Sequence, residues 1–283
     1  MKKTLIVFMI LLIVKSYSQQ NNFQGALYNV GFGGLTGGIG AVINKKSNEK
    51  TGKVFLKGFY QGALGGAVVF GSKKMVYNFH NNENLESLWM AKIVNSAGVS
   101  IIENAATNRN FWEKWHLTFG FNRLEYDIKS EKKFHYKLMP LALVGTVWAT
   151  TEGKFNLKYS LQSGTPVFLT KDILKTKTLI NSIIIEENQE IKRSLGHETI
   201  HVFQYEEFLN LNMFFDKKKN EWQNKSNFLN KTNKWIYMDL PSGGFLRGLY
   251  LLENINKKCY FDNYFENEAN FYSNQYKCSE VGL

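Results

Sequence analysis

Two glycine-rich apolar segments near the N-terminus constrain the fold of this chain more than any other feature. They read FQGALYNVGFGGLTGGIGAVIN and VFLKGFYQGALGGAVVFGSKKMVYNF, with a lysine-rich link between them. Glycines recur in them at four-residue spacing, namely Gly33 and Gly37, Gly34 and Gly38, and Gly58, Gly62 and Gly66. Residues four apart share one face of a helix, so such rows let two helix backbones approach closely. The sequence therefore predicts a close-packed helical hairpin within residues 19–80.

The same hairpin has the dimensions of a membrane-spanning pair. Each arm is near the length of a bilayer span, and the lysines between the arms would suit a cytoplasmic turn. Polar residues within the arms argue against a span, among them Gln24, Asn29, Lys57 and Gln61. A close-packed or surface-associated hairpin is preferred, and membrane association through residues 23–72 is kept as an alternative.

The first eighteen residues have the layout of a secretory signal peptide. Two lysines precede an apolar run from Leu5 to Val14, and the small residues Ser16 and Ser18 follow. This pattern predicts cleavage after Ser18, with an uncleaved anchor as the alternative. The expected location is extracytoplasmic, in the periplasm, in the outer envelope or outside the cell.

The charge of the chain does not indicate a nucleic-acid partner. Removing the three lysines of the signal peptide lowers the formal net charge from +11 to +8. The remaining basic residues are scattered and do not lie beside an aromatic RNA-reading motif, so nucleic-acid binding is not expected. The densest basic stretch, residues 216–234, is interpreted as a solvated loop.

Residues 81–178 are predicted to form a helix followed by antiparallel strands. Apolar residues recur at helical spacing between Asn84 and Asn108. The next segments are WHLTFGFNRLEYDIK, KFHYKLMPLALVGTVWAT, GKFNLKYSLQSG and PVFLT, which are rich in aromatic and β-branched residues. With a helical N-terminal hairpin and a mostly helical C-terminal part, this order predicts an α+β fold.

Residues 179–283 begin with a strand that leads into a helix. Leu179 to Glu187 is the predicted strand, and Asn188 is placed to cap the helix NQEIKRSLGHETIHVFQYEEFLNL. A strand in this position can offer its edge to an extended peptide. Residues 210–240 are expected to be irregular, a helix is predicted from Phe245 to Ile255, and the last segment is predicted to be helical.

The helix after that strand contains a metal-binding pattern, His197-Glu198-x-x-His201. Two histidines four apart on a helix can converge on one ion, and the glutamate between them can reach a metal-bound water. A catalytic site needs a third protein ligand and leaves the fourth position open. The pattern therefore predicts His197 and His201 as metal ligands and Glu198 as a general base.

The third ligand is sought in the segment FENEANFYS. Glu266 and Asn270 are four apart, so one can ligate the metal while the other hydrogen-bonds a ligand imidazole. Glu268 lies in the same turn and competes for the ligand role, but Glu266 is preferred because Asn270 follows it by one turn. Secretion permits a disulfide between Cys259 and Cys278 that would tie off this segment, with two buried thiols as the alternative.

These residues resemble the gluzincin zinc metallopeptidases, in which His-Glu-x-x-His is followed by Glu-x-x-x-Asp or Asn. The resemblance covers residues 179–278, and the Glu-x-x-Ala-Asn spelling together with Gln204 is most similar to the membrane-associated and short secreted members. It implies one Zn²⁺ held by His197, His201 and Glu266, Glu198 as general base, and Asn270 behind the ligands. It also implies a peptide or protein substrate. Asn270 stands where the family usually has aspartate.

Several alternatives remain open from the sequence. Tyr237, Arg247 and Tyr250 are candidate donors to an oxyanion, and the sequence does not choose among them. The other histidines are interpreted as core or surface residues. One rival function is a non-catalytic envelope protein that retains a zinc site, and another is a membrane-inserted protein in which the motif is incidental.

Overall fold

The glycine-rich segments form the first two helices of the protein. A computed structural model describes residues 21–82, 86–172, 176–187, 190–255 and 259–273. Helix α1 spans Asn22–Ile43, α2 spans Thr51–Asn82, and α3, Glu86–Ala106, packs against both. The helical hairpin predicted from the glycines is therefore confirmed, while the predicted signal peptide lies outside the described residues.

Backbone contact between α1 and α2 explains the glycine rows. A Cβ on Gly33 would lie 2.4 Å from the Gly62 carbonyl oxygen, and a Cβ on Gly66 would lie 2.1 Å from the Asn29 carbonyl oxygen. No real Cβ occupies such a position, so any other residue would push the two helices apart.

Helix α1 is the one described helix that is long and apolar enough to cross a membrane, by length and composition alone. Its most apolar window is 44% buried inside the protein. This property does not distinguish a membrane span from a core helix, so membrane association through residues 23–72 stays a prediction.

An antiparallel sheet of three strands follows α3, as predicted. Strand β1 spans Lys114–Phe119, β2 spans Asn122–Asp127 and β3 spans Phe134–Leu138, in that order across the sheet. Alternate residues of the three paired strands lie on one face of the sheet, and all of the residues on that face are polar: Lys114, His116, Thr118, Arg123, Glu125, Asp127, His135 and Lys137. Arg123 and Glu125 are buried, whereas the apolar Leu124 on the opposite face is 56% exposed. The sheet therefore turns its charged face inward.

The next segment corrects the prediction of strands. Residues Pro140–Glu152 form helix α4 and Leu157–Ser163 form helix α5, with a two-residue strand β4, Lys154–Phe155, between them. Pro140 lies in the first turn of α4, where a missing N–H costs nothing. Asn156 caps α5 by accepting a hydrogen bond from the Tyr159 backbone N–H at 3.0 Å. These local signals outweigh the β propensity of the segment.

A second sheet leads to the motif helix and also differs in part from prediction. Strand β5 spans Val167–Thr170, β6 spans Lys177–Leu179 and β7 spans Ser182–Glu186, in the order β4-β5-β7-β6. Strands β5 and β7 pair in parallel, which the expectation of antiparallel strands missed. The single strand predicted from Leu179 to Glu187 is divided by a turn at Ile180, whose φ is 62°. Strand β6 therefore forms an edge of this sheet.

Helix α6, Ile191–Leu209, carries the histidine motif and buries 15 of its 19 residues. It packs against α2, against β7 and against the last described helix. Phe79, Leu195 and Phe203 belong to the largest apolar core cluster, which also includes Tyr272. The predicted cap Asn188 lies outside the described residues.

Residues 210–240 are more ordered than expected. A 3₁₀ helix covers Asn210–Phe215, and helices α7, Asp216–Lys225, and α8, Asn227–Asn233, follow. Neither α7 nor α8 buries a residue, which is why no apolar periodicity marked them in the sequence.

Two further helices complete the described chain. Helix α9 spans Leu240–Asn254 and begins before the predicted Phe245, because Pro241 is compatible with its first turn. Helix α10 spans Tyr264–Ser273 after a 3₁₀ turn at Tyr260–Asp262. The α+β class is confirmed. Cys278, the predicted disulfide partner of Cys259, lies outside the described residues.

Candidate metal centre

Helices α6 and α10 bring the three predicted ligands together. The Nε2 atoms of His197 and His201 are 3.1 Å apart. The Glu266 carboxylate places Oε2 at 3.3 Å from His197 Nε2 and Oε1 at 3.4 Å from His201 Nε2. One nitrogen or oxygen from each side chain lies within 4.8 Å of the others. This buried group could hold a metal ion.

Charge in this group favours a cation. Burial alone would lower the pKa of the His201 imidazole, but the Glu266 carboxylate raises it to about 9. Burial would raise the pKa of Glu266, yet His201 and His197 hold it well below its usual range. The negative charge that attracts a proton to His201 attracts a metal ion in the same way.

Gln204 orients His201. The side-chain nitrogen of Gln204 donates to the Phe265 carbonyl oxygen and to Glu268 Oε2, each at 2.9 Å. Its amide oxygen therefore faces His201 Nδ1, at 2.8 Å. Because an amide oxygen only accepts, Nδ1 carries a proton, so Nε2, which faces Glu266, is the nitrogen that can bind a metal ion after losing its own proton.

The choice between Glu266 and Glu268 is explained by Lys73 of α2. Glu268 is buried and accepts a hydrogen bond from Lys73 Nζ at 2.8 Å, away from the histidines. Glu207 of α6 lies 2.6 Å from the same ammonium. Sequence reasoning missed Lys73, although it follows Gly66 by two helical turns and so shares the buried glycine face of α2.

Asn270 does not hydrogen-bond an imidazole. Its side chain is buried, and both its amide nitrogen and its amide oxygen lack a hydrogen-bond partner among the described residues. The group near His197 Nδ1 is instead the Ser273 hydroxyl, at 3.5 Å. Ser273 lies three residues after Asn270 on the same helix face, which was the available signal in the sequence.

Glu198 is held beside the edge strand β6. The Thr178 hydroxyl lies 2.7 Å from Glu198 Oε2, to which it donates a hydrogen bond, and 3.0 Å from the Glu198 carbonyl oxygen. Glu198 is buried but makes no ion pair among the residues that the structure describes. Its carboxylate is therefore positioned by a neutral donor.

Of the three candidate oxyanion donors, Tyr250 lies at the centre. Its hydroxyl is 2.7 Å from Glu266 Oε1. Tyr260, which sequence reasoning missed, places its hydroxyl at the same distance from that oxygen and 2.6 Å from the Tyr250 hydroxyl. Arg247 lies over the Tyr250 ring at 5.7 Å. Tyr237 lies in a different cluster, beneath the Arg123 guanidinium at 3.9 Å.

Two of the other histidines are accounted for elsewhere. His116 is buried on β1, where its Nδ1 lies 3.0 Å from the Ser100 hydroxyl. Burial and the neighbouring Arg123 lower the pKa of His116 to about 3, so it is neutral near pH 7. His135 lies on β3, and the side chain of His80 lies outside the described residues.

Comparison of the chain with known protein families, with curated proteins and with solved structures finds no match.

Proposed function

We propose that this protein is an extracytoplasmic zinc-dependent peptidase of the gluzincin type. The observation that carries the proposal is the convergence of His197, His201 and Glu266 from two helices that are distant in sequence. Five histidines in the chain would rarely produce such a triad by composition alone.

The donor set suits zinc. Two imidazole nitrogens and one carboxylate oxygen are ligands of catalytic zinc sites, which keep a fourth position open. The tautomer that Gln204 imposes on His201 presents the nitrogen a metal needs. Zinc bound there would lower the pKa of a bound water to about 7 and polarise a substrate carbonyl.

The surrounding side chains supply the remaining roles. Glu198, held by Thr178, accepts the proton of the attacking water and passes it to the leaving amine. Burial and the neighbouring Glu266 raise the pKa of the Tyr250 and Tyr260 hydroxyls, so both keep their protons. A protonated hydroxyl can donate a hydrogen bond to the oxygen that becomes negative in the transition state.

A peptide in extended conformation fits the position of β6. This strand forms the edge of its sheet, and its middle residue, Thr178, contacts Glu198. Main-chain hydrogen bonds along such an edge bind peptides with little dependence on sequence. The substrate class we propose is therefore an unfolded or extended polypeptide.

The test measures zinc content and peptide hydrolysis in the same preparations. Wild type is expected to bind about one zinc per chain, and His201→Ala and Glu266→Ala much less. Glu198→Gln is expected to keep its zinc while hydrolysis falls by a factor on the order of 10²–10⁴. Glu187→Gln, at an exposed position, is the control for the loss of a carboxylate. Wild type with less than about a tenth of a zinc per chain would contradict the proposal.

One observation favours a second function, a non-catalytic zinc-binding protein. The buried amide of Asn270 contacts neither imidazole, so His197 lacks the carboxylate that usually backs a ligand histidine. If wild type and Glu198→Gln both bind zinc and neither hydrolyses a peptide library, this second function replaces the first.

The proposed location has its own measurements. Mass spectrometry of the mature chain should find Gln19 at its N-terminus if the signal peptide is removed. Carbonate extraction of envelope fractions should release the protein if the hairpin of α1 and α2 does not span the membrane.

A further inference from the structure

A cavity lies beyond the C-terminal end of α6, away from the histidines. It is bounded by the inner face of the β1–β3 sheet and by helices α7 and α8. Its volume is about 730 Å³, and its lining includes none of the residues of the metal centre. Small-molecule sites have volumes of about 300–1,000 Å³. The cavity is therefore large enough for a ligand of its own.

The two walls of the cavity differ in character. The sheet contributes charged side chains, among them Lys114, Glu125 and Lys137. The helical side adds large apolar side chains among polar ones: Trp222 of α7, Leu229 of α8 and Phe215 of the preceding 3₁₀ helix. Trp222 and Phe215 are 58% and 57% exposed. Large apolar side chains exposed together over a cavity indicate a surface that a ligand covers.

Positive charge is in excess at the sheet wall. Lys114 and Lys137 lie 3.0 and 3.4 Å from Glu125, which also accepts a hydrogen bond from Arg123 at 2.7 Å. Glu103 is the other carboxylate of this group, at 2.6 Å from Arg123. Three cations therefore share two carboxylates.

The other charges of the lining do not compensate for this excess. Arg109 and Lys219 each have a carboxylate partner, Asp127 and Asp216. Lys234 lines the cavity and forms no ion pair among the described residues. The cavity and the layer behind it thus carry two more positive than negative charges.

Two further observations concern the cations of the sheet wall. The Nη1 atom of the buried Arg123 has no hydrogen-bond partner among the described residues. Burial lowers the pKa of Lys137 to about 8; Glu125 opposes this shift, and the nearby Lys114, Arg123 and Lys219 add to it. An anion beside Lys137 would relieve the repulsion.

The orientation of the sheet supports a functional reason for these charges. A shift of one residue in strand register would turn the apolar faces of β1 to β3 inward, as in an ordinary core. The sequence instead buries the charged face, although buried ion pairs contribute little or negatively to stability compared with apolar side chains.

We propose that this cavity binds an amphipathic carboxylate, a long-chain fatty acid in chemical class. Its carboxylate would pair with Lys114 and Lys137, and its chain would lie against Trp222 and Phe215. The proposal does not depend on the metal centre, and His201→Ala is expected to leave ligand binding unchanged.

The test is a titration of the mature full-length protein with dodecanoate below its micelle concentration. Isothermal titration calorimetry should give one site per chain, and tryptophan fluorescence should change in wild type but much less in Trp222→Phe. Dodecanol, which has the same chain without the charge, should bind roughly tenfold or more weakly.

Two variants separate a charge effect from a loss of fold. Lys137→Met and Lys234→Gln should weaken dodecanoate binding by roughly tenfold and threefold, and Lys234 is exposed, so its replacement leaves the fold intact. Lys129→Met is the control, because Lys129 pairs with Glu113 outside the cavity. Equal affinity for dodecanoate and dodecanol, or wild-type affinity in Lys234→Gln and Lys137→Met, would overturn the proposal, as would the absence of saturable binding.

Discussion

Replacement of Lys73 by methionine tests whether the N-terminal hairpin supports the metal centre. Lys73 Nζ is fully buried and lies 2.6 Å from Glu207, 2.8 Å from Glu268 and 3.0 Å from the side-chain oxygen of Asn29. Methionine fills a similar volume without the charge. The substitution therefore leaves two carboxylates buried without their cation.

The magnitude follows from this arrangement. Breaking a buried ion pair by removing one partner costs about 3–5 kcal/mol. Burial already raises the pKa of Glu207 to about 7, so Glu207 can take up a proton in the variant at little further cost. We therefore expect Lys73→Met to lower the free energy of unfolding by about 3 kcal/mol near pH 7.

The loss should also depend on pH, with a definite sign. A carboxyl whose pKa in the folded state lies above its unfolded value, about 4.3, destabilises the fold as pH rises between those two values. Lys73 opposes the rise in the pKa of Glu207, so without Lys73 that pKa rises further. The destabilisation should therefore be larger at about pH 8 than at about pH 5.5, by roughly 1–2 kcal/mol.

Urea unfolding followed by circular dichroism measures both effects. Lys74→Met is the matched control, because Lys74 is the neighbouring lysine and forms no ion pair among the described residues. Its ammonium lies over the Tyr77 ring at 4.1 Å and donates a hydrogen bond to the exposed Asn22 side chain at 2.9 Å. Adding Glu207→Gln to Lys73→Met should restore part of the stability, because one of the two carboxylates is then gone. A loss below about 1 kcal/mol, or one that does not change with pH, would refute this account of the buried cluster.

Three further results are expected. Gly62→Ala should lower the free energy of unfolding by about 1–3 kcal/mol, because the added Cβ would lie 2.1 Å from a carbonyl oxygen. Gly71→Ala, whose Cβ would have no atom within 4 Å, should raise the free energy of unfolding by up to about 1 kcal/mol. Gln204→Leu should weaken zinc binding about 10–100-fold in equilibrium dialysis, and retention of wild-type affinity would contradict its orienting role. Folding lowers the pKa of His116, so the protein should lose stability as pH falls below about 6.5, by about 2 kcal/mol at pH 5. In His116→Gln, the free energy of unfolding should depend less on pH over that range.

The metal centre was largely predictable because most of it is local. The spacing of His197 and His201, and that of Gln204 one turn later, is fixed by helix geometry alone. Tyr260 and Lys73 could not be placed, because their approach depends on how α9, α10 and α2 pack on α6. Glu266 was preferred over Glu268 because Asn270 follows it by one turn, but Asn270 hydrogen-bonds no imidazole. The contact of Lys73 with Glu268 is what separates the two glutamates.

Errors in the fold prediction have a common physical cause. Segment 140–163 contains two Val, three Thr and one each of Phe, Trp and Tyr, residue types that favour strands but also occur in a helix that is only partly buried. The decisive signals were single residues at helix starts, Pro140 and Asn156. Helices α7 and α8 were missed for the opposite reason, because they bury no face and so leave no periodic pattern.

The bonds of Lys73 also define what a relative of this protein should look like in sequence. Its two carboxylate partners lie in α6 and α10, so the lysine and the two glutamates must be inherited together. The signature joins Gly-x₃-Gly-x₃-Gly-x₆-Lys, ending at Lys73, to His-Glu-x₂-His-x₂-Gln-x₂-Glu and then to Glu-x-Glu, ending at Glu268. A chain that keeps the histidines but lacks the glycine row and its lysine would have to neutralise Glu207 and Glu268 in another way. Where a relative differs here, we expect Lys73, Glu207 and Glu268 to be replaced together.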